Sequence, residues 1–139
     1  MKQQITLSFK KELLLNIHNI KHLFKIALFD DKIEVNKDIE TYYDLENEID
    51  EGFGYKKGGK ELSNLVLYSY KDYLILHFDN VIWEDATISA YGALVYNDSL
   101  INKNSVSIIN FEEVYSSDAG DFILEFVNPE SLEGAIKLL

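Results

Sequence analysis

Few residues in this chain have the types and spacing that chemistry needs. The stretch Gly54 to Lys60, GYKKGGK, carries the glycine-to-glycine-lysine spacing of a phosphate-binding loop. That loop requires a Ser or Thr after its lysine to hold magnesium, and Glu61 stands there instead, a carboxylate where a phosphate would approach. An acidic stretch precedes it and a strand-like run follows, whereas the motif needs a strand and then a helix. Gly52, Gly54, Gly58 and Gly59 therefore read as turn residues that let the backbone bend.

His18 and His22 are four residues apart, which on a helix is metal-ligand spacing, but no Glu lies between them to act as a base. His77, between Leu76 and Phe78, reads as an ordinary strand residue. The acidic run Asp44 to Glu51 lacks the glycine that a calcium-binding loop places at its sixth position, so it reads as a solvated face. Among 24 Asp and Glu residues, pairs that imitate a glycosidase site arise by chance. No Ser is framed by glycines as in a nucleophile elbow, and without Cys there is no thiol nucleophile, disulfide or thiolate metal site. The residues thus assign no catalytic, metal-binding or cofactor-binding role, and the expectation is a protein that is not an enzyme.

What remains is aromatic. Tyr42, Tyr43, Phe53 and Tyr55 fall in a polar stretch, where they either pack that stretch onto the body or form a contact surface. As a surface they would suit a protein neighbour or, alternatively, the stacking of a surface glycan or receptor sugar. The net charge of −11 makes nucleic acid an unsuitable partner, since the chain would repel a phosphate backbone. All 13 basic residues are Lys, so an interface here has no guanidinium and must lean on Tyr, Phe and backbone groups. Residues 1–25 interleave Lys2, Lys10, Lys11, Glu12 and Lys21 with short apolar runs, and the expectation is neither signal peptide nor membrane anchor.

The elements that must carry these residues are mostly strands. At 139 residues and 47% hydrophobic content the chain suits a single domain, 1–139. Leu7, Phe9, Leu13, Leu14, Ile17 and Ile20 suit one helical face, predicting a short N-terminal helix within residues 1–22. Residues 23–29 (LFKIALF) predict a strand, and 31–61 a long acidic and Gly-rich loop. Leu62 to Tyr70 and Tyr73 to Phe78 predict a hairpin around Lys71-Asp72. Further strands are expected at Ala86–Tyr96, Val106–Phe111, Asp121–Val127 and Ala135–Leu139, with turns at Asn97-Asp98, at 117–120 and at Asn128-Pro129. Gly92, inside a strand, marks a bulge or a close backbone approach. Trp83 is expected between two strands, plugging the end of the core. The fold class that follows is mainly β: an antiparallel sandwich, Greek-key or jelly-roll-like, with a short N-terminal helix.

The order of these features resembles a group of small tailed-bacteriophage virion structural proteins. The likeness rests on the N-terminal helix, the strand beginning Phe24-Lys25-Ile26-Ala27-Leu28, the loop Gly52-Phe53-Gly54-Tyr55 with Gly58-Gly59, Trp83 before Ala86-Thr87, and Tyr91-Gly92-Ala93-Leu94-Val95-Tyr96. It spans roughly residues 8–139, and the acidity of Asp44 to Glu51 is the main departure from the group's pattern. The resemblance implies a virion component, made in the host cytoplasm, that decorates the head or sits at a collar, spike or fibre base. It also implies an oligomer with protein neighbours and no catalytic residues.

Overall fold

The computed structural model of the chain describes residues 2–30, 38–71, 73–126 and 136–138. The strands are β1 (Lys2–Ile5), β2 (Phe24–Phe29), β3 (Lys60–Glu61), β4 (Val66–Tyr70), β5 (Tyr73–His77), β6 (Val81–Asn97), β7 (Ser105–Leu124) and β8 (Ile136–Leu138), with one α-helix, α1 (Leu7–Leu14). They form a five-stranded sheet in the order β1-β7-β6-β2-β3 and a three-stranded sheet in the order β4-β5-β8. Every pairing between these strands is antiparallel. The fold is mainly β, with antiparallel sheets and a short N-terminal helix, as the patterning predicts.

The larger sheet buries both faces at its centre. On one side Ile26, Leu28, Val95 and Ile109 share a core with Leu76 and Phe78 around the smaller sheet. On the other, Ala27, Phe29, Leu94, Tyr96 and Ile108 are covered by Ile39, Tyr42 and Leu45 from the long loop. A strand buried on two faces cannot alternate apolar with polar residues, and this is why Ile26–Phe29 (IALF) and Ala93–Tyr96 (ALVY) are unbroken apolar runs.

Several boundaries differ from the sequence expectation. The helix stops at Leu14, because Leu15 caps it and Asn16 turns left-handed at φ 58°, so Ile17, His18 and Ile20 lie beyond it. At its start the Thr6 hydroxyl accepts the Phe9 N–H, satisfying one of the orphan donors of the first turn. Strand β1 precedes it, unexpected from KQQI, and is held by pairing with Ser107 to Asn110 of β7. Strand β6 begins at Val81, so Trp83 sits inside a strand opposite Phe122, not between two strands. Val106–Phe111 and the residues from Asp121 to Leu124 belong to one long strand, while Val127, the expected end of the second segment, lies outside the described residues; the expected turn at 117–120 is instead an irregular stretch with Ala119 at φ 46°. A ladder of this length takes up the mismatch as bulges, which add a residue and sharpen the local twist.

The expected hairpin is present, with its first strand beginning at Val66 and not at Leu62 and its second ending at His77. Tyr70 pairs with Tyr73 in the β4–β5 hairpin, with Lys71 at φ 53°; Asp72 lies outside the described residues. The register shifts between Ala90 and Gly92, and a Cβ on Gly92 would stand 2.5 Å from both the Ile109 carbonyl oxygen and the Phe29 ring. The Asn97-Asp98 turn closes β6 onto β7. The expected turn at Asn128-Pro129 falls outside the described residues, as do both ends of the last expected strand, whose middle is β8.

Candidate functional site

The stretch from residue 38 to 59 is tied down by one carboxylate. A single 3-10 turn, Tyr42–Asp44, is closed by the Asp44 Oδ2, which accepts the N–H groups of Glu40 and Thr41 at 3.1 and 3.0 Å. Beyond it, Glu48 bridges to Phe29 of β2 and Ile49 donates its N–H to the Leu28 carbonyl, so the loop continues the sheet for one step. The Glu48 side chain is then the hub. Tyr42 donates its hydroxyl to Oε1, while Oε2 accepts the Tyr55 hydroxyl at 2.6 Å and the Gly58 N–H at 2.8 Å. The Tyr55 oxygen in turn accepts the Leu28 N–H at 3.0 Å, and Tyr96 donates to the Gly58 carbonyl. Burial raises the Tyr42, Tyr55 and Tyr96 phenols above their usual range, and the neighbouring carboxylates push the same way, so all three stay protonated donors.

The glycines make the close approaches this requires. Gly59 has φ +81°, and a Cβ there would meet the Ile26 carbonyl oxygen at 1.9 Å. Gly54 has φ +94°, and its Cβ would fall 2.7 Å from that of Ala86. Gly52 and Tyr55 form an isolated bridge around Phe53, and the Phe53 carbonyl accepts the Thr87 N–H at 2.9 Å. The turn is thus clipped to β6 by main-chain contacts, and Glu61 follows its lysine where a magnesium-binding hydroxyl would stand.

The four aromatic candidates therefore separate. Tyr55 is 3% exposed and its ring lies 6.3 Å from that of Trp83, which is 2% exposed. Tyr42 is half-buried and stacks on Tyr96 at 4.7 Å. Tyr55 is buried and one face of Tyr42 is taken by Tyr96, so the four rings do not form one exposed platform. Tyr43 and Phe53 remain at the surface, 64% and 83% exposed. A ring so exposed on a turn whose backbone is fixed by hydrogen bonds is presented, since the backbone has little freedom left to lose on contact.

His18 and His22 do meet, although not on a helix. The buried Asn97 amide places its Nδ2 3.0 Å from His18 Nδ1 and 2.9 Å from His22 Nδ1. An amide nitrogen carries two protons and no lone pair, so both imidazoles accept, and His18 must donate its Nε2–H to Glu12 Oε1 at 2.8 Å. The other Glu12 oxygen accepts from Asn104 at 2.7 Å. Burial holds His18 below its ordinary pKa, against the opposing pull of Glu12. Each nitrogen of His18 is occupied, and the arrangement works as a polar clamp joining residues 12–22 to the β6–β7 turn. Among the described residues no group of three His, Cys, Asp or Glu side chains is placed to hold a metal ion. Among them, too, no helix is long and apolar enough to cross a membrane.

Sequence reasoning missed Glu48 and Asn97. Glu48 is one of several acids in its stretch, and only the register that aims both tyrosines at it sets it apart. No family model, no curated protein and no solved structure matches the chain.

Proposed function

We propose that this chain is a non-enzymatic virion structural protein of a tailed bacteriophage, assembling with itself and with capsid, collar or tail proteins as a head decoration or a fibre or spike base. The observation that carries the reading is the presentation of Phe53, an aromatic ring left in solvent on a turn clipped to β6 by the Thr87 N–H. Aromatic anchors of this kind sit at the centres of protein interfaces, where they fill a pocket on the neighbour. The loop resemblance Gly52-Phe53-Gly54-Tyr55 supports the same reading, because the ring lies within it. An acidic surface without Arg suits contacts made by apolar rings and main-chain groups.

The test is mass spectrometry of purified particles from the source, with copy number. Copies near the number of capsid subunits indicate decoration of the head, and about a dozen or fewer indicate the neck or tail. Absence from purified particles overturns the proposal.

A further inference from the structure

Residues 15–23, between α1 and β2, form a strap that is anchored at both ends. At one end Asn16 and Ile17 donate their N–H groups to the Leu13 and Glu12 carbonyls. At the other, Leu23 donates to the Ser99 Oγ at 2.8 Å and accepts the Asp98 N–H at 2.8 Å. In between, the contacts of Asn19 with Lys21 and His22 close the strap on itself, and the imidazoles of His18 and His22 tie it to the end of β6 through the single Asn97 amide. Leu15 and Ile20 are exposed, so little apolar burial adds to this hold. His18 and Ile20 of the strap line an apolar cavity of about 200 Å³ together with Phe9, Leu13, Leu74 and Leu76.

We propose that residues 15–23 are an acid-released strap, in which protonation of His18 breaks the attachment to Asn97 and opens the apolar cavity to solvent. The Asn97 amide directs its two protons at two imidazole lone pairs. A proton taken up at His18 Nδ1 sets an N–H against that NH2, two donors with no acceptor between them. Turning the amide over does not relieve this, because Asn97 Oδ1 already accepts the Ser99 N–H at 3.1 Å and a reversed amide would set its NH2 against that donor. Asn97 is fully buried, and a donor left unpaired there carries its desolvation cost. Glu12 keeps its hydrogen bond to His18 Nε2 in either state, so the break falls on the Asn97 side.

The charged groups facing His18 are Glu12 on α1 and His22 on the strap, and the Phe9 ring packs against it at 4.5 Å. At the β6–β7 turn Asp98 is engaged by Lys103 and by Lys25. Burial holds His18 below its ordinary pKa and outweighs the attraction of Glu12. In the released strap the imidazole is solvated and titrates near 6.5, so release takes up a proton. The strap is therefore fully held above about pH 6.5, and below it release grows by at most about tenfold per pH unit.

This switch stands apart from the reading of the chain as a virion component. It is tested by amide hydrogen exchange of the full chain, read by mass spectrometry at about pH 7.5 and about pH 5.5 with intrinsic exchange rates divided out, alongside emission of the uncharged apolar dye Nile red. Protection of residues 15–23 should fall by up to about tenfold at the lower pH and dye emission should rise with it, while Ala93–Tyr96 stay protected. Asn97→Asp turns the donor into an acceptor for the protonated imidazole, so this variant should keep the strap closed in acid, an effect that a merely structural Asn97 would not produce. His18→Gln combined with His22→Gln should make both readouts independent of pH. A strap equally protected, or equally open, at both pH values overturns the proposal, and so does acid opening that persists in the double variant. Acid opening of Asn97→Asp as strong as that of the unmodified chain overturns it as well. Should Asn97→Asp not fold, the double variant decides alone.

Discussion

Two carboxylates hold this molecule's irregular segments to its sheets, and they are built from different donors. Glu48 gathers the hydroxyls of Tyr42 and Tyr55 and the Gly58 N–H, and so fixes the stretch 38–59 over the outer face of the large sheet. Glu12 gathers the imidazole of His18 and the amide of Asn104, and so fixes residues 12–22 at the turn between β6 and β7. Phenols and a backbone amide keep their protons throughout the neutral range. An imidazole gains a proton in acid, at the Nδ1 by which His18 accepts from the Asn97 amide, so the second attachment responds to pH through that contact.

Perturbations of the two hubs should differ accordingly. The largest effect is expected beneath Glu48, where Trp83 packs edge-on against Phe122 at 5.8 Å and beside Tyr55. Trp83→Ala should cost about 3–5 kcal/mol in denaturant unfolding, as for other buried aromatic residues; a loss under about 1 kcal/mol would show the ring to be dispensable. Next comes Glu48→Ala, which leaves two hydroxyls and an N–H without their acceptor and should cost roughly 2–3 kcal/mol. Its pH dependence near neutrality should match that of the unmodified chain, which would separate the two hubs.

The Glu12 hub should show a smaller, pH-dependent loss. Burial depresses the His18 pKa below 6.5, so the unfolded chain takes up this proton more readily than the folded one. Stability from this group is complete above about 6.5 and declines as acid protonates the imidazole, and His18→Gln should flatten that decline in melts recorded across pH. The smallest effect is expected at the exposed ring: Phe53→Ala should change stability by no more than about 0.5 kcal/mol. In the same variant, binding to a particle neighbour should fall, and a stability loss as large as that of Glu48→Ala would show the ring to be structural.

The strands were legible because burial writes itself as apolar runs. IALF and ALVY announce strands covered on two sides, and Gly92 announces the approach of Ile109. The loop was legible as a loop, but not as a cover, since Ile39, Tyr42 and Leu45 are scattered among polar residues and acquire meaning only over Leu94 and Tyr96. Strand β1 escaped because its sequence is polar and its hold on β7 is made by main-chain groups common to all residues. Trp83 was misplaced because Glu84-Asp85 suggests an ending; the strand continues with Asp85 at φ 47° and a shifted register on either side of Ala86. The contact of His18 with Asn97 spans 79 positions, and no local pattern encodes it.

The placement of β1 orders events in time as well as space. Its partner residues on β7 lie about a hundred positions later, and Thr6 accepts a hydrogen bond from the Ser105 hydroxyl across a separation of 99. During synthesis β1 must therefore wait, unpaired, until Ser107 to Asn110 have followed it. Such distant pairings slow folding, because closing the intervening loop costs entropy before any contact offsets it. Strand β1 acts as a latch against β7, and a chain stopped short of Ser105 has no such partner for it.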